Sequence, residues 1–442
     1  MAQTRKDKTK WQKVRKLFND IHLWLGLTSG LFVLVICFSG TVYVFNTEIT
    51  EIAAPHLYKV QPMPGVNRMP ADAFVEKIEQ ASGGKITSVN ISADPERTYQ
   101  FNVKKKDDKS RFGTAYMVNP YTGAIVGNSL EKNSAKEFMS TMFSLHRWLL
   151  LDKIETPIFS GMTNRELGSK ISGWATILFT LGCITGLIIW FPQKLRAWRQ
   201  GLKIKMSGNW KRVNHDLHNS LAFYSLFFLL LMGLTGPQWS FEWYRNGLQK
   251  TLGTYKPKDA QADKNGLQER TAGKTAEEKK NRETAETSQD AVTNKNESQR
   301  LSIAAFIKEA DKQLPYNGNY AITFPPDAKS TVAVNKTRVG FFAPAAADRL
   351  SIDQYSGETT KADIFRNKPL NEQIAGSIKA IHVGNVYGTF TKILYFIACL
   401  IATSLPITGT LIWFNKLKKK KKPFKSIPQK APAYKTGRLT NA

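Results

Sequence analysis

The sequence predicts a membrane α-helical protein, with four transmembrane helices in a parallel internal repeat and two extracytoplasmic α+β modules. Three observations carry this prediction. Four stretches of 23 to 25 residues lack ionised side chains, which is about the length that a helix needs to cross a bilayer core. Clusters of Lys and Arg lie beside these stretches. Short motifs at their ends recur in the same order along the chain.

The four apolar stretches are interpreted as transmembrane helices. A basic leader precedes the first one, as it would in a secretory signal peptide. Its apolar part is longer than a signal core of about 7–15 residues, and no small-x-small cleavage site clearly ends it, so we expect a retained helix. In chain order the stretches are residues 23–47, 171–193, 217–241 and 393–415.

The positive charge predicts the orientation of the spans. The 442-residue chain has a formal net charge of +28, which alone would be typical of a nucleic-acid-binding protein. Residues 1–21, 192–217 and 415–442 hold 24 Lys and Arg residues and three Asp residues. Each cluster adjoins an apolar stretch, so the charge indicates topology and we expect no nucleic-acid partner. By the positive-inside rule, both termini are cytoplasmic and residues 48–170 and 242–392 lie outside.

The spans and their flanks repeat once. Spans one and three begin with NDIH at 19–22 and HDLH at 215–218, and in both a glycine follows the last histidine after 18 residues. Spans two and four end with TGLIIWF at 185–191 and TGTLIWF at 408–414. Such a parallel repeat predicts a pseudo-two-fold axis along the membrane normal. The predicted order is a basic leader and first span (1–47), outside module 1 (48–140), an interfacial segment and second span (141–193), a cytoplasmic loop (194–216), the third span (217–241), outside module 2 (242–380), the fourth span (381–415) and a cytoplasmic tail (416–442).

Each outside region predicts a small α+β module with its own antiparallel sheet. Residues 70–82 and 302–314 have the apolar spacing of a short amphipathic helix, and alternating strand-like runs follow both. The turns VNPYTGA and IDQYSGE match in position, with Gly123 and Gly357 where a positive φ is needed. Residues 256–300 contain no aromatic residue and many Lys, Glu, Gln, Asn and Thr, which predicts a disordered insertion in the second module.

Four of the six histidines stand near the ends of spans. His22 and His218 begin spans one and three at the cytoplasmic side, and His146 and His382 lie outside, before spans two and four. Two facing neutral imidazoles are what a six-coordinate b-type heme needs, one above and one below the ring. A lone interfacial histidine is more often a surface residue, but two repeat-related pairs favour ligands. The 18 residues from the first histidine to its glycine span about 27 Å of helix, close to the ~30 Å bilayer core, so two hemes would stand at opposite faces.

Three positions leave alternatives open. His215 and His218 are i, i+3 neighbours on one helix face and cannot bind one iron from opposite sides. His218 is preferred because it matches His22 in the repeat, and His215 would meet a heme propionate or be structural. Arg147 would pair with a propionate or remain solvated at the interface. His146 stands 44 residues before Trp190, whereas His382 stands 31 residues before Trp413. The 13 additional residues after His146 predict an interfacial helix that folds back over the bundle.

These motifs resemble the PepSY-associated transmembrane helix family. The resemblance rests on DLH at 216–218, LHRWL at 145–149, IH at 381–382, the TG-x-x-x-W span ends and the VNPYTG turn. It covers nearly the whole chain except the insertion and both tails, and it implies that the outside modules are PepSY-like. Members include iron-regulated inner-membrane proteins, and some resemble di-heme reductases of ferric siderophores. The resemblance therefore implies one heme b between His22 and His218 near the cytoplasm, and a second between His146 and His382.

The function predicted from these points is electron transfer across the bacterial inner membrane to a ferric chelate, of the ferric siderophore class. Reduction would release iron, because oxygen donors hold hard ferric iron tightly and ferrous iron weakly. We expect the chelate against the outer heme, in the cleft between the two modules. No G-x-G-x-x-G fingerprint precedes a helix in the short cytoplasmic parts, so the electron donor is a separate cytoplasmic reductase or a membrane quinol. The basic tails would contact anionic membrane lipids, which is the preferred interpretation, or dock an acidic flavoprotein.

Two other classes of function remain as alternatives. One is a heme-free, membrane-anchored binding or regulatory protein whose PepSY-like modules inhibit a peptidase or capture a peptide. The other is a siderophore or metal permease, which is disfavoured because the spans lack interior Asp, Glu, Lys and Arg. The heme content of the purified chain discriminates between the first alternative and the predicted reductase.

Overall fold

The computed structural model describes residues 10–108, 110, 113–192, 198–257, 300–327 and 329–420. The predicted insertion, 256–300, lies almost entirely outside these residues, as do both chain ends. The α-helices are α1 (Lys10–Tyr43), α2 (Asn46–Ala53), α3 (Pro55–Tyr58), α4 (Val75–Ser82), α5 (Ser134–Trp148), α6 (Asn164–Trp190), α7 (Trp198–Gly201), α8 (Trp210–Thr235), α9 (Glu242–Thr251), α10 (Ile303–Gln313), α11 (Leu370–Val383) and α12 (Gly388–Lys420). The strands are β1 (Lys85–Ile91), β2 (Tyr99–Lys104), β3 (Thr114–Val118), β4 (Ile125–Asn128), β5 (Gly318–Thr323), β6 (Val332–Arg338), β7 (Ala347–Ile352) and β8 (Thr359–Asp363). Short 3₁₀ helices lie at Ala71–Phe74, Leu151–Lys153, Gly236–Trp239 and Phe365–Asn367.

Four of the described helices, α1, α6, α8 and α12, are long and apolar enough to cross a membrane. The helix α1 packs against α6 and α12, and α8 packs against the same two helices. Large apolar side chains on the outside of this bundle are exposed, such as Leu31 at 70% and Phe227 at 65%. An apolar outer surface of this kind suits lipid, because no polar group then faces the hydrocarbon. The prediction of a membrane α-helical protein with four spans is confirmed at this level.

Polar side chains fix where several helices begin. The side chains of Asn133, Thr163 and Asn209 accept hydrogen bonds from the backbone N–H three residues ahead, at the starts of α5, α6 and α8. Such caps satisfy N–H groups that have no partner inside the helix. The caps therefore fix where α5, which carries His146, and α8, which carries His215 and His218, begin.

The eight described strands form one antiparallel sheet in the order β4-β3-β2-β1-β5-β6-β7-β8. The prediction of a separate sheet in each module was wrong, because β1 pairs with β5 along a register from Ser88 opposite Thr323 to Ile91 opposite Tyr320. This pairing removes two strand edges that would otherwise carry free N–H and C=O groups. It also closes the cleft that was predicted between two separate sheets.

One face of the sheet packs against α4 and α10 to form the main core. Apolar side chains alternate along β2 and β6, which places one set against the helices. On the opposite face, Ala115 and Met117 of β3 form a second, small core with Ala54 and Leu57. At the ends of β3 and β7, the predicted glycine turns are confirmed, with φ of +68° at Gly123 and +75° at Gly357. Fully buried core side chains include Ile78, Val89, Phe101, Phe306, Ile322, Val334 and Leu350.

Replacing Phe306 by alanine is expected to destabilise the sheet strongly. The side chain is 0% exposed in the core between α10 and the strands. Truncation of a buried aromatic side chain removes its transfer free energy and leaves a cavity, which together cost about 3–5 kcal/mol. Urea-dependent proteolysis of the detergent-purified chain measures this loss. Leu370→Ala, at a side chain that is 72% exposed, is the control and should change the unfolding free energy by no more than about 0.5 kcal/mol.

The chain reverses direction directly after α5. Leu149 and Leu150 have φ of 54° and 62°, a left-handed conformation that is uncommon outside glycine. The additional residues predicted to form an interfacial helix that folds back contain only the 3₁₀ helix Leu151–Lys153 and a loop before α6. The hydroxyl of Ser172 in α6 donates to the Arg147 carbonyl at 2.8 Å, so the end of α5 lies directly against α6.

Candidate functional site

Two pairs of histidines face each other inside the helical bundle. His22 on α1 faces His218 on α8, with ring centroids 6.4 Å apart and an interplanar angle of 77°. His146 on α5 faces His382 on α11, with centroids 6.2 Å apart and an angle of 60°. The structure thus brings together the four histidines that the sequence singled out, in two pairs. We refer to His22 and His218 as the inner pair, and to the other two, which lie on the sheet side, as the outer pair.

The spacing of both pairs matches two imidazoles on opposite sides of one metal ion. A metal–imidazole bond is about 2.0–2.1 Å long and the ring centre lies about 1.1 Å behind the bonding nitrogen, so two such rings have centroids about 6.3 Å apart. Rings in direct van der Waals stacking would lie closer. Among the described residues, no group of three or more His, Cys, Asp and Glu side chains forms a metal site. The arrangement is thus suited to a metal whose other ligands come from a prosthetic group.

Each inner histidine is oriented by the neighbouring span. The Nδ1 atom of His22 lies 3.0 Å from the Gly182 carbonyl and 3.1 Å from Thr185 Oγ1. The Nδ1 atom of His218 lies 2.8 Å from Thr408 Oγ1. A partner on Nδ1 holds the ring orientation and leaves Nε2 as the coordinating nitrogen.

The outer pair is held in the same way. The Nδ1 atom of His146 lies 2.9 Å from the Ile36 carbonyl on α1, and the Nδ1 atom of His382 lies 3.0 Å from Thr235 Oγ1 on α8. The indole of Trp239 packs on the His382 ring, with centroids 4.9 Å apart. Burial holds the pKa values of both outer histidines below the usual range, which favours the neutral form that a metal ligand needs.

A glycine faces each of the four imidazoles. A Cβ atom built on Gly40 would lie 3.0 Å from His146 Cε1, and one on Gly236 would lie 3.4 Å from His382 Cε1. The corresponding distances are 3.2 Å for Gly186 to His22 and 3.2 Å for Gly409 to His218. At 3.0–3.4 Å a Cβ would be tighter than most real contacts, so a side chain at any of these positions would displace the ring by a few tenths of an ångström.

Sequence reasoning found these glycines but missed their role. The four glycines follow a serine or threonine, at Ser39-Gly40, Thr185-Gly186, Thr235-Gly236 and Thr408-Gly409. In the sequence these pairs indicated only the repeat. In the structure, three of the four hydroxyls contact a histidine Nδ1 and all four glycines contact a histidine ring. A hydroxyl residue directly before a glycine was the available signal, but it also occurs at Ser29-Gly30 and Ser172-Gly173 and so does not by itself single out the four positions.

The inner pair opens into a cavity of about 870 Å³. Its walls are largely apolar and include Val33, Leu229 and Pro406, while Arg15 and Lys416 contribute cationic groups. A planar apolar ring that carries carboxylates needs this combination, because its body must leave water and its carboxylates need cations. The residues present therefore fit a group of that kind.

The two candidates with open roles, His215 and Arg147, occupy different positions. His215 lines the inner cavity, but its side chain is half exposed and its Nδ1 lies 3.6 Å from Asp216 Oδ1. Arg147 donates a hydrogen bond to the Trp239 carbonyl at 3.2 Å. Burial and the neighbouring Arg165 hold the pKa of Arg147 below its ordinary value. No described carboxylate forms an ion pair with Arg147, so it offers a cation beside the outer pair.

A second, smaller cavity lies where the two halves of the sheet meet. It measures about 250 Å³ and is lined mainly by polar side chains. In its wall, Arg97 forms two hydrogen bonds of 2.6 Å with the Glu51 carboxylate. A cleft between two modules was predicted here, and the structure instead has this small cavity. Other polar residues in its wall are Tyr58, Asn90, Gln100, Asn319 and Thr337.

One comparison with known proteins gives a family assignment. The family described as the PepSY-associated TM region matches residues 20–416, which include all four spans, the sheet and both histidine pairs. No curated protein matches the chain.

Proposed function

Because the chain belongs to the PepSY-associated TM region family, we propose that it is a di-heme b-type electron carrier of the bacterial inner membrane. It takes electrons from a cytoplasmic reductase or a membrane quinol and reduces a ferric chelate of the siderophore class on the periplasmic side. The two halves of the chain are a parallel repeat, each with one PepSY-like module. The basic segments beside the spans support cytoplasmic termini.

One observation carries the proposal: two histidine pairs, each with centroids near 6.3 Å, lie at different ends of one helical bundle. An edge-to-face pair of rings can have the same centroid distance, so this spacing supports the proposal together with the Nδ1 contacts, which leave Nε2 as the coordinating nitrogen of each ring. His22 and His218 would hold one heme, and His146 and His382 the other. Each bound heme supplies a one-electron redox centre with no open iron position, which favours electron transfer over oxygen chemistry.

The residues around the pairs have defined tasks in this function. The threonine hydroxyls and helix carbonyls hold each imidazole by Nδ1, which leaves Nε2 to bind a heme iron. Val33 and Leu229 would keep water from a heme in the inner cavity, and Arg15 and Lys416 would pair with its propionates. Arg147 would do the same at the outer pair.

The polar cavity between the sheet halves is the place that we propose for the ferric chelate. Its amide and hydroxyl side chains offer hydrogen bonds to an oxygen-rich ligand, whereas Arg97 is already paired with Glu51. One electron converts the bound ferric ion to ferrous ion, whose bonds to hard oxygen donors are weaker, and the chelator leaves unchanged.

The proposal is tested by mixing the dithionite-reduced protein, freed of excess reductant, with a ferric hydroxamate siderophore. We expect the heme α band to be lost and ferrous iron, trapped by a colour reagent, to appear at one ion per electron. The gallium(III) complex of the same siderophore is the control, because it has the same shape and cannot be reduced. If the reduced spectrum persists with the ferric complex, the proposed function is wrong.

Thr408→Val is expected to weaken retention of the inner heme by about 10–100-fold, as is typical when the hydrogen-bond partner of a ligating histidine is removed. The hydroxyl lies 2.8 Å from His218 Nδ1, and valine keeps the shape without the oxygen. The rate of heme transfer to an excess of apomyoglobin measures the effect. Thr410→Val is the control, since that hydroxyl bonds only to the Pro406 carbonyl of its own helix. Equal rates in the two variants would contradict the role of Thr408.

A further inference from the structure

An exposed aromatic cluster lies where α12 begins, beside the sheet. It consists of Phe341 and Phe342 in the loop between β6 and β7, and of Tyr387 and Phe390 at the start of α12. Phe341 is 53% exposed, Phe342 63% and Tyr387 51%. Exposed aromatic side chains of this size are uncommon on surfaces that face only water.

The rings of the cluster pack on one another. Phe341 and Phe342 have centroids 4.9 Å apart, and Phe342 lies 5.1 Å from Phe390. Phe390 belongs to the first turn of α12, one of the four helices able to cross a membrane. The cluster is therefore continuous with the apolar surface of a span.

Two backbone contacts attach the loop between β6 and β7 to the segment that leads into α12. The Ala345 N–H donates to the Val386 carbonyl at 3.0 Å, and Pro344 forms an isolated β-bridge with Tyr387. The loop is thus attached to the segment that enters α12, and its position relative to the bilayer follows that of the span.

This loop differs in charge from the corresponding hairpin in the other half of the sheet. Residues 339–347, VGFFAPAAA, carry no ionisable side chain, whereas the hairpin between β2 and β3, KKDDKSRFG at 105–113, carries six charged residues. Both hairpins occupy the second position outward from the β1–β5 junction. The two hairpins lie at opposite ends of the strands, and only the uncharged one can leave water at low cost.

We propose that the aromatic cluster inserts into the lipid interface at the sheet-side end of α12 and anchors this half of the sheet to the bilayer. Aromatic side chains without nearby charge are enriched at this depth of a membrane. The segment that the loop holds, at 386–388, directly follows α11, which carries His382 near its end. Lipid contact here thereby also steadies the helix that bears one outer imidazole. The inference depends on the spans and not on heme.

Fluorescence quenching in nanodiscs tests the anchor. Phe342→Cys and Val339→Cys, each labelled with an NBD fluorophore, place a probe on the loop, and Asp107→Cys places one on the charged hairpin. The native cysteines lie within α1, α6 and α12, and the unaltered chain labelled in parallel measures their background. Phosphatidylcholine nanodiscs leave both membrane faces accessible to aqueous iodide.

We expect doxyl-labelled phosphatidylcholine to quench the probes at 342 and 339 at least twofold more strongly than the probe at 107, and iodide to show the reverse order. Equal iodide quenching at all three positions, with no doxyl quenching, would overturn the proposal. Protection from iodide that depends on protein concentration, without doxyl quenching, would also overturn it and would indicate a second copy of the chain as the partner. Either loop probe alone is sufficient for the comparison.

Discussion

Replacing His218 by alanine is expected to lower the heme content of the purified chain from two per chain to one. The ring of His218 faces His22 with centroids 6.4 Å apart, and one imidazole alone cannot complete six-coordinate heme iron. The outer pair lies on other helices and should keep its heme. A pyridine hemochrome assay, normalised to protein by amino-acid analysis, measures the ratio.

His215→Ala is the matched control for this loss. His215 lies three residues before His218 on the same helix and lines the same cavity, but its contacts are with Asp216 and Asn219. We expect this variant to keep two hemes. Equal loss of heme in the two variants would contradict the assignment of His218 as the inner ligand.

Replacing His382 by alanine is expected to stop reduction of an external ferric chelate while leaving the inner heme in place. His382 faces His146 at a centroid distance of 6.2 Å, and the outer pair lies on the sheet side of the bundle. Without the outer redox centre, electrons held at the inner pair have no nearby carrier toward the chelate. The rate of ferrous iron formation from the dithionite-reduced variant should fall to that of protein-free solution.

The matched control on the outside is His56→Ala. His56 lies on α3, with 61% of its side chain exposed and its Nε2 3.1 Å from Glu131 Oε2. This variant should reduce the chelate at the rate of the unaltered chain. Loss of activity in His382→Ala with two hemes still bound would show that the outer pair is not a heme site.

Local chemistry in the sequence was sufficient to predict many elements. The uncharged stretches overlap α1, α6, α8 and α12, because only a bilayer-length apolar helix satisfies its backbone without water. The first three predicted spans extend three to six residues beyond the ends of the observed helices. The turns at Gly123 and Gly357 followed from residues that favour a left-handed backbone. Strands β1 to β3 followed from the strand-like runs after the first amphipathic helix, and β4 followed from the turn that precedes it.

The joining of the sheet could not be predicted in this way. Ser88 and Thr323 pair across 235 positions of sequence, and alternation within a strand does not reveal which edge it meets. The long insertion between them in the chain favoured two independent modules. Only the three-dimensional structure shows that the two halves share one core.

The histidines of the candidate site were predictable, but the backbone contacts that hold them were not. Symmetry of the motifs singled out His22 and His218, since chemistry-bearing residues at equivalent repeat positions are easily recognised. The approach of the His146 ring to Gly40 depends on how α5 leans on α1, which local sequence does not specify. The left-handed Leu149 and Leu150 that end α5 likewise carry no sequence signature, because leucine rarely adopts that conformation.

The di-heme assignment depends on one measurement, the heme-to-chain ratio of the detergent-purified protein expressed with ample heme supply. We expect two hemes b per chain, with a Soret band and an α band that appears on reduction by dithionite. A chain that purifies without heme under these conditions would contradict the assignment and would favour a membrane-anchored binding or regulatory protein.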